Sequence, residues 1–90
     1  MFFGFSYRNG LVKGLISVSN HVLAIYEWCS ESPNSGNTVK ALLQLRENYS
    51  EIIVHDIGGG PQDSSWKYWL YMRNKGFVDR LYDGNRDLIP

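Results

Sequence analysis

Residues Val22 to Leu45 constrain the fold of this chain most, because they read as a strand, a punctuated turn and a helix in direct succession. Val22 to Cys29 is apolar and rich in β-forming residues. Ser30 to Asn37 is a cluster of turn and capping residues, and Thr38 to Tyr49 has helical periodicity. A strand that runs through small residues into a helix aims backbone N–H groups, and the positive end of the helix dipole, at whatever lies in front. The stretch is either a seat for an anionic ligand or a plain β-to-α connection.

Ninety residues predict one domain with one compact core. A hydrophobic fraction of 43% with 20% charged residues is that of a globular chain and argues against wholesale disorder. Nine basic and nine acidic residues cancel, so no global field draws in nucleic acid, and the chain lacks the negative charge of a DNA mimic. Cys29 is the only cysteine, which forbids an intrachain disulfide and predicts a reducing, cytoplasmic setting. The longest apolar run is far too short to span a bilayer, and Met-Phe-Phe-Gly-Phe does not read as a signal peptide, so no membrane association is expected.

Phe2 to Tyr7 alternates loosely, and Asn9-Gly10 before a second apolar run signals a hairpin. Leu11 to Val18 is the predicted returning strand, Ser19-Asn20-His21 a second turn, and Val22 to Cys29 or Ser30 a third strand. The helix is expected to start near Asn37 or Thr38, with Thr38, Leu42, Leu45 and Tyr49 on one stripe. Glu51 to Ile57 reads as a strand buried from both sides and parallel to the third. After the break at Gly58-Gly-Gly-Pro61, a second helix is predicted over Ser65 to Asn74, closed by Lys75-Gly76. Phe77 to Tyr82 alternates as a last strand.

Several residues invite chemistry. His55 and Asp56 are adjacent on a strand, so they point to opposite faces and do not form a catalytic pair. Neither they nor His21 have metal-site spacing, and no metal is expected. Gly58-Gly-Gly60 lacks the Gly-Lys-Ser/Thr of a phosphate loop. Aromatic residues make up 14% of the chain, and the second helix alone carries Trp66, Tyr68, Trp69 and Tyr71. These rings, with Trp28, are either core or the anchors of an interface.

The order strand, strand, strand, helix, strand, helix, strand, with a glycine-containing turn before the first helix and Asn74-Lys-Gly-Phe77 after the second, resembles the second half of the Gcn5-related N-acetyltransferase (GNAT) fold. Some short members, including phage-encoded ones, are trimmed in this way. The resemblance implies an α/β (α+β) fold, with a central mixed, mostly antiparallel sheet of about five strands and two helices, lacking the family's N-terminal part. It also implies acetyl-CoA or CoA as cofactor. In the family a Q/R-x-x-G-x-G/A loop holds the pyrophosphate by its amides, here Gly36, Asn37, Thr38 and Val39. Pro33 then stands at the Gln/Arg position and Thr38 at the second small residue. A register set by Leu42-Leu43 places the motif on Ser35, Thr38 and Lys40 instead.

The family's late helix carries a Tyr that protonates the leaving thiolate. Counting back from Gly76 puts Met72 there, and a thioether donates no proton, which leaves Tyr68 or Tyr71 as substitute acids. A carboxylate on or after the third strand serves as general base in such enzymes, here Glu27 or Glu31. Two functions follow. One is a non-catalytic, GNAT-like protein-binding inhibitor or adaptor of the kind phage encode, acting through Trp28, Trp66 and Trp69. The other is an acyl-CoA-dependent N-acetyltransferase with Glu27 as base. Sheet surface that a missing first half would cover also predicts a homodimer.

Overall fold

The computed structural model describes residues 1–31 and 36–90. Its elements follow the order β1 (Phe2–Tyr7), β2 (Val12–Ser19), β3 (Val22–Ser30), α1 (Asn37–Arg46), β4 (Glu51–Ile57), α2 (Ser64–Asn74) and β5 (Arg80–Asp83). They build one α+β sheet of five strands in the order β1-β2-β3-β4-β5.

Turn chemistry sets the first three strands. Asn20 and His21 both take positive φ, 49° and 67°, in a two-residue loop between Ser19 and Val22, a backbone that matches strand twist. The β1–β2 loop is wider than the Asn-Gly signal suggests. Tyr7 pairs with Val12, and Arg8, Asn9 and Gly10 all lie at positive φ. Each strand that follows a helix runs parallel to its predecessor: β3 with β4, and β4 with β5. Two antiparallel and two parallel pairings result, so the expected antiparallel excess is absent. A strand reached through a crossover helix returns in the same direction, and β5 is reached in that way.

α1 buries Thr38, Leu42 and Leu45, as its stripe predicts, and also Ala41, but it ends at Arg46 and leaves Tyr49, the stripe's last member, half-buried beyond it. Asp63 caps α2 by accepting a hydrogen bond from the Ser65 amide at 2.8 Å. At the other end Gly76, at φ 83°, lets its own N–H reach Arg73 and that of Phe77 reach Met72, which satisfies the last carbonyls. This cap consumes Phe77, so β5 starts at Arg80, three residues later than alternation predicts.

Both helices cover the same face of the sheet. Ile16, Leu23, Ile25, Ile52, Val54 and Leu81 meet Leu42 and Leu45 of α1 and Trp69 and Met72 of α2 in one buried cluster. Two successive right-handed crossovers in one direction along a sheet place their helices on one side. β4 is therefore buried on one side only: Ile52 and Val54 are buried, while Ile53 and His55 are half-buried on the other. The opposite face, with Phe2, Leu15, Ala24, Tyr26, Ile53 and Tyr82, has no described element packed on it.

Candidate functional site

β3 and β4 stay paired from Val22/Glu51 to Ile25/Val54 and then part. The fork opens where both strands carry an extra residue. Against β2, Ile25 pairs with Ile16 and Glu27 with Leu15, leaving Tyr26 over. Against β5, Val54 pairs with Leu81 and Ile57 with Asp83, and Asp56 sits at φ 59°. A bulge bends its strand and raises the local twist, and two bulges on neighbouring strands turn the pair apart. Close approach supports the bend, since a Cβ on Gly14 would stand 2.5 Å from the Glu27 carbonyl oxygen.

The bulge also changes which side chains face the helices. Strict alternation from Leu23 and Ile25 would send Glu27 inward; instead Trp28 faces the helices and Glu27 is exposed. Trp28 stacks on Phe5 at 5.5 Å between ring centroids, meets Trp69 edge-on at 6.1 Å, and donates its indole N–H to Thr38 Oγ1 at 3.2 Å. A cleft of about 300 Å³ lies in the fork, between Tyr26–Trp28, His55–Gly58 and the start of α2 at Ser65.

Past Trp28, Ser65 and Trp69 lies a second recess, of about 410 Å³, bordered by Ser30, Thr38 and Tyr68. Burial pushes the Tyr68 phenol above its usual value of 10.0, and a hydrogen bond with Thr38 opposes this. Ser30 Oγ is buried there, with no hydrogen-bond partner among the described residues. The N-cap of α1 is Gly36, at φ 83°, which brings no side-chain oxygen, and the first turn holds no acidic residue. The expectations that involve Pro33 and Ser35 lie outside the described residues.

These positions sort the expected site residues. Glu27 borders the cleft and Tyr68 the second recess; the two hollows share Trp28, Ser65 and Trp69, but neither is bordered by both expected residues. Tyr71 borders neither; it is 54% exposed, with the Lys75 ammonium 5.7 Å from its ring centre. Met72, at the place of the family's tyrosine, is buried. Gly36, Asn37 and Val39 remain at the surface or half-buried, whereas the Thr38 side chain is buried. Among the three expected anchors, Trp69 is only 7% exposed, and Trp28 and Trp66 are half-buried against the core. They fill the interior and the groove wall and do not form a free surface.

A second aromatic cluster, half-buried except for Phe2, lies on the uncovered face. Phe2, Tyr26, His55 and Tyr82 form a row across the uncovered sheet face, on β1, β3, β4 and β5. His55 lies between Tyr26, at 4.7 Å and 6°, and Tyr82, at 5.1 Å and 12°, while Phe2 meets Tyr26 edge-on at 4.9 Å. Both faces of the His55 ring are covered by the two tyrosines. Beside it a groove of about 660 Å³ is bordered by Asp56, Asp83 and Arg86. The sequence holds this row only in combination with the register Ile25/Val54, which makes Tyr26 and His55 neighbours. No three His, Cys, Asp or Glu side chains converge as metal ligands among the described residues, and no helix there is long and apolar enough to cross a membrane. Comparison with protein-family models, with curated proteins and with solved structures finds no match to this chain.

Proposed function

We propose that this chain is a non-catalytic protein-binding inhibitor or adaptor, and that its partner docks on the uncovered sheet face. The supporting observation is that one face of a five-stranded sheet, with Phe2, Leu15, Tyr26, Ile53 and Tyr82, has no described element covering it. A sheet face of this composition is a typical protein-interaction surface. The single, exposed Cys29 fits a reducing cytoplasm as the place of action. The test is affinity capture with identification by mass, run on the wild type and on a Tyr26→Ser/Tyr82→Ser variant. The same identified partner is expected to be recovered at least tenfold less with the variant; equal recovery removes this face as the binding surface.

A second reading, a GNAT-like acyl-CoA-dependent N-acetyltransferase, draws support from the forked strands. Glu27 borders the cleft between them, and the neighbouring recess is bordered by Tyr68 and by Thr38 in the first turn of α1, whose N-cap is Gly36 and which continues through Asn37 and Val39. The buried Met72, the outward Tyr71 and the Trp28 ring in the groove weigh against catalysis. Calorimetry and thermal shift with acetyl-CoA and with CoA separate the readings, since a ligand bound only by the native state raises the melting temperature. No shift at millimolar ligand is expected. A saturable shift abolished by Gly36→Pro replaces the adaptor by the enzyme.

A further inference from the structure

The two edges of the sheet are treated in opposite ways. At the β5 edge the strand is four residues long and carries Arg80 and Asp83. The C-terminal segment closes it: the Ile89 amide donates to the Leu81 carbonyl at 2.8 Å, the Asp83 amide to the Asp87 carbonyl at 2.9 Å, and Tyr82 bridges to Leu88. Short length, charge and a covering segment are how proteins keep an edge from pairing with another chain.

The β1 edge has none of these. It is six residues long, about 20 Å at the usual rise per residue. Its sequence, FFGFSY, holds no charge and no proline, and its register with β2 runs without a bulge. No described residue bonds to its outer side. Exposed apolar side chains flank the edge on both faces of the sheet. Phe2, 56% exposed, lies on the uncovered side, and Phe3, 49% exposed, on the helix side, paired with Ile16.

A strand suited to this edge is itself extended, uncharged and apolar on both faces, and the segment of this chain that fits is β1. We propose that β1 pairs antiparallel with β1 of a second copy, about a two-fold axis at Gly4, to form one continuous ten-stranded sheet. A two-fold axis normal to the sheet keeps helix sides together, so only residues of like parity face each other. An axis at Gly4 sets Phe3 beside the partner's Phe5 on the helix side and Phe2 beside the partner's Ser6 on the other. Cross-strand aromatic pairs of this kind stabilise sheets. The modest overlap makes this a dimer that responds to concentration. It does not depend on the function proposed above, because main-chain pairing along the β1 edge carries it and only Phe2 is shared with that face.

The test combines mass, crosslinking and exchange on the full chain. Sedimentation velocity is expected to show the apparent mass rising with concentration from 10.3 kDa toward twice that value. Phe3→Lys, at an exposed position, is expected to hold the chain monomeric with an unchanged circular dichroism spectrum. In a Cys29→Ser background, Gly4→Cys is expected to crosslink under mild oxidation at least tenfold faster than Ser6→Cys, since only residue 4 faces its own copy; a Cβ at Gly4 meets nothing within 4 Å. Deuterium exchange of the wild type, which needs no variant, is expected to slow in β1 as concentration rises. A monomeric mass with β1 exchange independent of concentration overturns the proposal, as does a dimer that survives Phe3→Lys or crosslinks equally at both positions.

Discussion

Trp28 donates its indole N–H to Oγ1 of Thr38 across 3.2 Å, and this bond ties β3 beyond its bulge to the first turn of α1. The acceptor belongs to a residue that is 3% exposed, so water does not readily replace a lost donor. Trp28→Phe keeps an aromatic ring against Phe5 and Trp69 but removes the N–H. It is expected to cost about 1 kcal/mol in urea unfolding. Thr38→Val leaves both Trp28 and Tyr68 without this partner and is expected to cost about 1–3 kcal/mol. The double variant should cost less than the sum of the two, because the residues share one bond.

Gly14, on β2, lies directly against the bulged part of β3, and a methyl group there has nowhere to go. The atom it would meet is the Glu27 carbonyl oxygen at 2.5 Å, a backbone atom that no rotamer change can move. Gly14→Ala is therefore expected to destabilise the chain by about 1–3 kcal/mol. Gly4→Ala, on the neighbouring strand with open space around it, is expected to stay within about 0.5 kcal/mol of wild type. Chemical unfolding of the two variants side by side checks the contrast. Equal effects would show that the fork does not depend on this close approach.

Arg46, the last residue of α1, forms a two-pronged ion pair with Asp79, with Nη2 to Oδ1 at 2.6 Å, and Asp79 Oδ2 also accepts from the Ile52 amide at 2.8 Å. The Arg46 hydrogen bonds, then the Ile52 amide, hold the Asp79 carboxyl below its ordinary value of 3.8, against the opposing cost of burial. A carboxylate with a depressed folded-state pKa contributes stability that is complete above its unfolded pKa and is lost as pH falls through the folded one. The loss thus belongs to the range below about pH 4. Asp79→Asn is expected to be less stable than wild type at pH 7 and to close part of that gap by pH 3, as read from melting temperatures. A gap that is constant with pH would mean that the pair acts through packing alone.

Much of the fold is legible in the sequence because its punctuation is chemically explicit. Asn20-His21 accept left-handed backbone, Asp63 caps, Gly76 terminates, and the boundaries of β3, β4 and α2 follow within a residue or two. The site is far less legible. A bulge is defined by its partner strand, so nothing local marks Tyr26 as the extra residue or explains why Trp28 turns inward while Glu27 stays out. The tryptophans illustrate the same limit. Their number says that rings are buried somewhere, but that Trp69 joins Ile25 and Val54 in one cluster depends on how α2 packs on the sheet. The aromatic row Phe2, Tyr26, His55 and Tyr82 draws on four strands and appears in no window of the sequence. The late start of β5 has a local cause: Phe77 alternates like a strand residue but is held by the helix cap.

His55 links the folded state of this sheet to pH through that row. Its imidazole is sandwiched between Tyr26 and Tyr82, and burial holds its pKa below the ordinary value of 6.5. The unfolded chain then takes up a proton on His55 more readily than the folded chain does. Stability from this group is complete above about pH 6.5, declines as pH falls from there to the folded pKa, and is level below it. His55→Phe keeps a flat ring between the two tyrosines and removes the titration. Between pH 7 and about pH 5 the wild type is expected to lose melting temperature steadily, whereas His55→Phe changes less. Parallel profiles for wild type and His55→Phe would show that the row tolerates a charged imidazole, with the cation held against the tyrosine faces.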